Sequence, residues 1–154
     1  MSKLSRRLRN KLEPPGKKLL GLDLGERRIG VALSDSAGIL ASPLLSIDLR
    51  HEQLSRIAEV AEEYEVDAVV VGLPVTLAGE EGFQAARVRR MASELEAMLQ
   101  VPIVYWDERL TSATADQILG KQGRQTRNKG LRDAYAAAVL LQSYLDTLAR
   151  LEQA

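Results

Sequence analysis

Residues 19–35 read LLGLDLGERRIGVALSD, and this stretch decides the fold. Lys18 to Leu24 and Ile29 to Ser34 read as strands, joined by the turn Gly25-Glu26-Arg27-Arg28 in the manner of a hairpin. Asp23 interrupts the first strand at its middle. A buried, unpaired carboxylate is costly, so it should neutralise, pair with a cation or bind a metal. A salt bridge to Arg27 or Arg28 is the plain structural explanation. Gly21 and Gly25 share the strand parity of Asp23 and leave the backbone beside it uncovered, which suits close approach by a ligand.

Outward from the hairpin, Ile39 to Ile47 reads as a third strand, with Pro43 pointing to an edge position where a missing N–H costs least. Glu52 to Tyr64 places Leu54, Ile57, Ala58 and Ala61 at helical spacing. AVVVGL, Ala68 to Leu73, is the short apolar run of a buried parallel strand. Glu81 to Gln100 reads as a long helix and Pro102 to Trp106 as another buried strand. Thr111 or Ser112 would cap a short helix ending near Gly120, and Arg132 to Leu151 forms a last helix after a basic loop. The order β-β-β-α-β-α-β-α-α predicts an α/β fold with a mixed five-stranded sheet. A three-strand antiparallel meander would continue into two parallel strands, with helices on both faces.

The 154 residues, 45% of them hydrophobic, suffice for one domain with a proper core. Residues 1–16 read as a flexible basic extension and residues 17–154 as the single domain. The absence of cysteine excludes disulfides and thiolate zinc sites. No apolar run reaches the ~20 residues of a membrane span, and Met1 to Lys18 lacks the pattern of a secretory signal. A cytoplasmic protein is expected.

The formal net charge is zero, yet the charge is uneven. Residues 1–18 carry Lys3, Arg6, Arg7, Arg9, Lys11, Lys17 and Lys18 against Glu13 alone. A second basic segment runs from Arg109 to Arg132, where Asp116 is the one acid. Two basic segments on an otherwise acidic body suggest a polyanionic partner contacted locally.

Three acidic features could carry chemistry. Asp23 is the first. Asp107 and Glu108 end a parallel strand, the edge where ligand sites gather in open α/β sheets. Alternation sends these two to opposite faces, so one at most shares a site with Asp23. Asp133, read as opening the last helix, is the third, though an acid there is also ordinary capping chemistry. If the acids converge, a site of hard oxygen ligands without His or Cys suits Mg²⁺ or Mn²⁺. Two such ions about 3.5–4 Å apart would serve phosphodiester hydrolysis. Arg27, Arg28, Arg109, Arg124, Arg127 and Lys129 could then hold a phosphate backbone. With 4% aromatic residues, base stacking should not dominate binding. His51, the only histidine, reads as the start of a surface helix. No P-loop, Rossmann fingerprint or serine elbow occurs.

Four motifs in order, GLDLGERRIGVALSD, VVVGLP with the following GEEG, YWDERLTS, and KGLRDAYAAAVLLQSYLD, resemble the YqgF family, described as Holliday junction resolvases or pre-16S rRNA nucleases. The resemblance covers Lys18 to Asp146. It implies a ribonuclease H-like fold and an acidic, metal-dependent site with Asp23, Glu108 and Asp133 as ligands and Asp107 in support. Ala78-Gly79 stands where the family often has Asp-Gly, and residues 121–128 carry fewer lysines than the family pattern. The function expected is Mg²⁺- or Mn²⁺-dependent cleavage of structured RNA or branched DNA, with processing of pre-16S rRNA ahead of junction resolution, by a monomer or homodimer.

Two other readings compete. Sugar kinases and actin-like ATPases share a G-x-D-x-G hairpin, but there it holds phosphate, and Glu26 would repel it. A non-catalytic nucleic-acid-binding factor could keep the same acids around a structural ion. Loss of metal-dependent cleavage on substituting one acid separates this from a nuclease.

Overall fold

The computed structural model describes residues 16–153, so the basic extension, apart from Gly16, lies outside the described residues. Along the chain run β1 (Leu19–Leu24), β2 (Arg28–Ser34), β3 (Ala41–Asp48), α1 (Ser55–Glu63), β4 (Ala68–Leu73), α2 (Phe83–Glu96) and β5 (Ile103–Asp107). A 3₁₀ turn (Glu108–Leu110), α3 (Ala113–Ala115), a π-helical turn (Asp116–Gly120), α4 (Lys121–Gln125) and α5 (Lys129–Gln153) follow. The strands pair in the order β3-β2-β1-β4-β5. The first three form the expected antiparallel meander, and β4 and β5 add in parallel.

Alternation along the strands sorts side chains onto two unlike faces. Leu20, Leu22 and Leu24 of β1, Ile29 and Val31 of β2, and Val69, Val71 and Leu73 of β4 pack against Ile57 and Val60 of α1 and Val88 and Leu95 of α2. Each such aliphatic side chain contributes about 1.5–3 kcal/mol by leaving water. The other face is built of small residues and covered by α5: Ala32, Ala68 and Val70 meet Ala137, Ala138, Leu141 and Tyr144. Trp106 stands edge-on to Tyr144, with ring centroids 5.4 Å apart.

Glycines let α5 approach this second face closely. A Cβ on Gly30 would lie 1.9 Å from the Asp133 carbonyl oxygen, and one on Gly21 would lie 2.8 Å from Leu141 Cβ. The space expected beside Asp23 for a ligand is therefore filled, at Gly21, by the protein's own helix.

Several boundaries differ from expectation, and some have a clear local reason. β3 starts at Ala41 because Asp35 Oδ1 accepts the amides of Ile39 and Leu40, holding them in the preceding turn. Pro43 is on the edge strand as read, facing Ala32 beside a register shift. The last helix begins at Lys129 because Asn128 Oδ1 accepts the Leu131 amide at 3.0 Å, a side-chain cap. Asp133 therefore lies in the second turn of α5 rather than opening it. The segment read as a basic loop after Gly120 is helical at Lys121–Gln125.

Candidate active site

Asp23 and Glu108 project from the α5 face of the sheet, where β1 and β5 both end. They line one cavity of about 220 Å³ with Trp106, Thr111 and Leu140. β4 lies between their strands and contributes Gly72, which pairs with Trp106. A Cβ on Gly72 would fall 2.8 Å from Glu108 Oε1 and 2.0 Å from Leu140 Cδ1, so glycine is what lets the carboxylate fold inward. The buried run VVVGL carried that signal, since a glycine inside a strand marks a close approach.

A tight turn aims Glu108. Asp107 Oδ1 accepts the Arg109 amide at 2.9 Å and caps the 3₁₀ turn, while Thr111 Oγ1 donates to the Glu108 carbonyl at 3.0 Å. Asp107 itself points away and is held by Arg109 Nη2 at 2.7 Å. The two adjacent acids therefore have opposite electrostatics. Hydrogen bonding from Arg109 pulls Asp107 below the usual carboxylate range. Burial pushes Glu108 up, and the charge of Asp23 adds to that. Burial also raises Asp23, with Asp133 adding repulsion.

Asp133 neighbours this pair without joining its cavity. Its backbone crosses β2 at Gly30, the residue paired with Asp23 across the hairpin. Its carboxylate Oδ2 accepts from Arg28 Nε at 2.7 Å and from Ser46 Oγ at 3.4 Å. The ion pair considered between Asp23 and Arg27 or Arg28 is thus made by Asp133. Among the described residues, no three acids, histidines or cysteines are already arranged around a metal position.

Asp23 and Glu108 nevertheless fit a divalent cation. Neither carboxylate makes a hydrogen bond or ion pair among the described residues, and each is raised by burial and a neighbouring negative charge. A hard dication would relieve both effects at once.

Arg87 was not read from the sequence. It reaches around the sheet edge from α2, donating from Nη2 to the Leu24 carbonyl at 2.9 Å and from Nε to Gln84 Oε1 at 3.0 Å. Its positive charge partly offsets the upward push on both Asp23 and Glu108. Its Nη1 is buried without a hydrogen-bond partner among the described residues. Nothing in the run Arg87-Val88-Arg89-Arg90 marks the first arginine as special.

The expected phosphate contacts divide into two groups. Arg28, Arg109 and Arg124 are already paired, with Asp133, Asp107 and Asp116. Arg27, Arg127 and Lys129 are exposed and make no ion pair among the described residues. The loop after Leu73 is tied down by Arg109 Nη1, which donates to the Thr76 carbonyl at 3.4 Å, and by the Glu81–Arg89 ion pair.

Comparison with solved structures identifies the architecture. Thermus thermophilus RuvC in complex with a Holliday junction substrate aligns at TM-score 0.54 and 16% identity, over 84% of this chain and 94% of that one. The Fowlpox virus resolvase with Holliday junction DNA aligns at TM-score 0.55 and 13% identity, over 85% and 98%. The fold is ribonuclease H-like, and the class is that of nucleases built on it.

Residues 17–147 match the model of the RuvX family, described as Holliday junction resolvase. A protein of Syntrophus aciditrophicus is 41% identical over 136 residues, 86% of this chain and 91% of its own. One of Chloroflexus aggregans is 45% identical over 131 residues, 83% and 92%. Both bear the name "Putative pre-16S rRNA nuclease". The chain belongs to the RuvX family, the YqgF family of the motif resemblance.

Proposed function

We propose that this protein is a Mg²⁺- or Mn²⁺-dependent nuclease that processes the precursor of 16S rRNA in the cytoplasm. The observation that carries the reading is the pair Asp23 and Glu108, two carboxylates in one cavity at the end of the sheet that have no hydrogen-bond or ion-pair partner among the described residues. Asp23 and Glu108 would hold the cation, with Asp133 beside them as the third ligand. A cation held there would supply the activation of water and the stabilisation of the leaving oxygen that phosphodiester hydrolysis needs.

The chain's own residues do the remaining work. β1, β4 and β5 form a rigid mount that fixes the separation of the two carboxylates. Trp106 and Leu140 form the apolar part of the cavity wall. Arg28, held by Asp133 through Nε, would offer its remaining donors to a phosphate oxygen, and Arg27, Arg127 and Lys129 supply exposed cations for the flanking backbone. Arg109 and Arg124 reach phosphate only by sharing or exchanging their present acids.

The names of the curated relatives support a ribosomal RNA precursor as the substrate. The family description supports a second reading, resolution of four-way DNA junctions, which would require a two-fold dimer to cut two strands symmetrically. The test is cleavage of a pre-16S rRNA fragment and of a four-way DNA junction by wild type and Asp23→Asn, each with Mg²⁺, Mn²⁺ and EDTA. Metal-dependent cleavage of the RNA alone, lost in the variant, is the expected result. Cleavage of the junction alone would replace the first reading by the second. Binding without cleavage of either would leave a nucleic-acid-binding factor.

A further inference from the structure

The acidic cavity does not end at Val139. Thr111, Ala136 and Val139 also line a second, open cavity of about 340 Å³, whose other lining includes Tyr135, Arg124, Arg132 and Asp116. One groove therefore runs from the two carboxylates, between α5 and the segment Ala113–Gln125, to a cationic end with an aromatic ring. Local structure builds that end. Gly123 is buried, and a Cβ there would lie 2.8 Å from Tyr135 Cβ, so its absence seats Tyr135 against α4. The chain winds through a π-helical turn at Asp116–Gly120, an irregularity that recurs at functional sites. Arg132 Nε donates to the Thr126 carbonyl at 2.8 Å, which fixes its stem, while its terminal nitrogens make no hydrogen bond among the described residues. Arg124 Nη1 neutralises Asp116 at 3.1 Å, so the one acid in this cavity does not oppose an incoming phosphate.

Resting on the nuclease reading, we propose that this second cavity is a nucleotide subsite, which receives one unpaired nucleotide next to the scissile phosphate. Tyr135 stacks on its base and Arg132 holds the adjoining phosphate, while Arg124 offsets the charge of Asp116. A cavity of about 340 Å³, near the lower end of the roughly 300–1,000 Å³ range of small-ligand sites, has room for one base. A base seated there would have left its duplex stack, so the nucleotide proposed is an unpaired one. The scarcity of aromatic residues does not conflict with this, because one ring serves one base while the remaining contacts are to the backbone.

The test is binding of a pre-16S rRNA fragment in EDTA, with an abasic residue walked singly through the nucleotides around the processing site. For wild type, one position should lose affinity roughly tenfold, in keeping with the loss of a single base–aromatic stack. Tyr135→Leu, which keeps the bulk without the ring, should bind the intact RNA about tenfold more weakly and be indifferent to that abasic position. Tyr135→Phe should behave as wild type, and thermal melts of all three proteins control for folding. Arg132→Ala should weaken binding equally at every abasic position and lower the salt slope by about one. Wild-type affinity and abasic profile in Tyr135→Leu, beside normal metal-dependent cleavage, would overturn the subsite alone. Failure of wild type to bind the RNA at all would overturn the rRNA reading and the subsite together.

Discussion

The two faces of the sheet do different work. On the α1/α2 face, β1, β2 and β4 present mainly leucine, isoleucine and valine. On the α5 face the same strands present Gly21, Asp23, Gly30, Ala32, Val70 and Gly72, and β5 adds Glu108 just past its end. The first face supplies burial. The second gives up side-chain volume so that one helix can lie close to the sheet, bringing Asp133 beside two carboxylates whose mutual repulsion costs stability. The difference shows how a small domain holds a destabilising site: the charges sit on the face with little to lose, and the opposite face compensates.

Substitutions on the two faces should therefore separate stability from activity. The largest effect expected is for Asp23→Asn, which should reduce cleavage by about 10³-fold or more, some 4 kcal/mol of transition-state stabilisation. In metal-free buffer the same change should raise Tm at neutral pH. Asp23 is pushed above its ordinary range by burial and Asp133, so its ionised form is worse off folded than unfolded. The gain should shrink as pH falls through the raised pKa and the wild-type carboxyl becomes neutral, which melts from pH 7 to pH 4 in EDTA would show.

Next in size is Leu22→Ala on the aliphatic face. It should cost about 2–5 kcal/mol in denaturant unfolding while leaving the cleavage rate per folded molecule unchanged. Gly30→Ala, where the new methyl meets the Asp133 carbonyl, should cost about 1–3 kcal/mol and also reduce cleavage, because α5 must shift. The smallest effect is expected for Arg109→Ala. Its exposed pair with Asp107 should contribute little to unfolding, and cleavage should fall only a few-fold.

Much of this division can be read in the sequence, because period-two alternation and short apolar runs are local signals. They send Asp107 and Glu108 to opposite faces, so that one at most can join Asp23, and the choice of Glu108 is what the motif resemblance implies. The edge position of β3 follows from Pro43. What stays hidden depends on pairing across the fold. Gly21 looks like room for a ligand because nothing in its own strand shows that Leu141 will fill the space. α5 starts at Lys129 rather than Arg132 because Asn128 caps it there, inside the segment that its charge makes read as a basic loop. A count of basic residues shows neither that Arg28, Arg109 and Arg124 are already held by acids nor that the charge of Arg87, from an ordinary helix, partly offsets the burden on the two carboxylates.

The most direct test of a shared carboxylate metal site is Mn²⁺ binding to the full chain, followed by isothermal titration, for wild type, Asp23→Asn, Glu108→Gln and Asp107→Asn. Saturable binding by wild type and Asp107→Asn, lost in Asp23→Asn and in Glu108→Gln, is predicted. Equal binding by all four proteins, or loss only in Asp107→Asn, would contradict a cation held between Asp23 and Glu108.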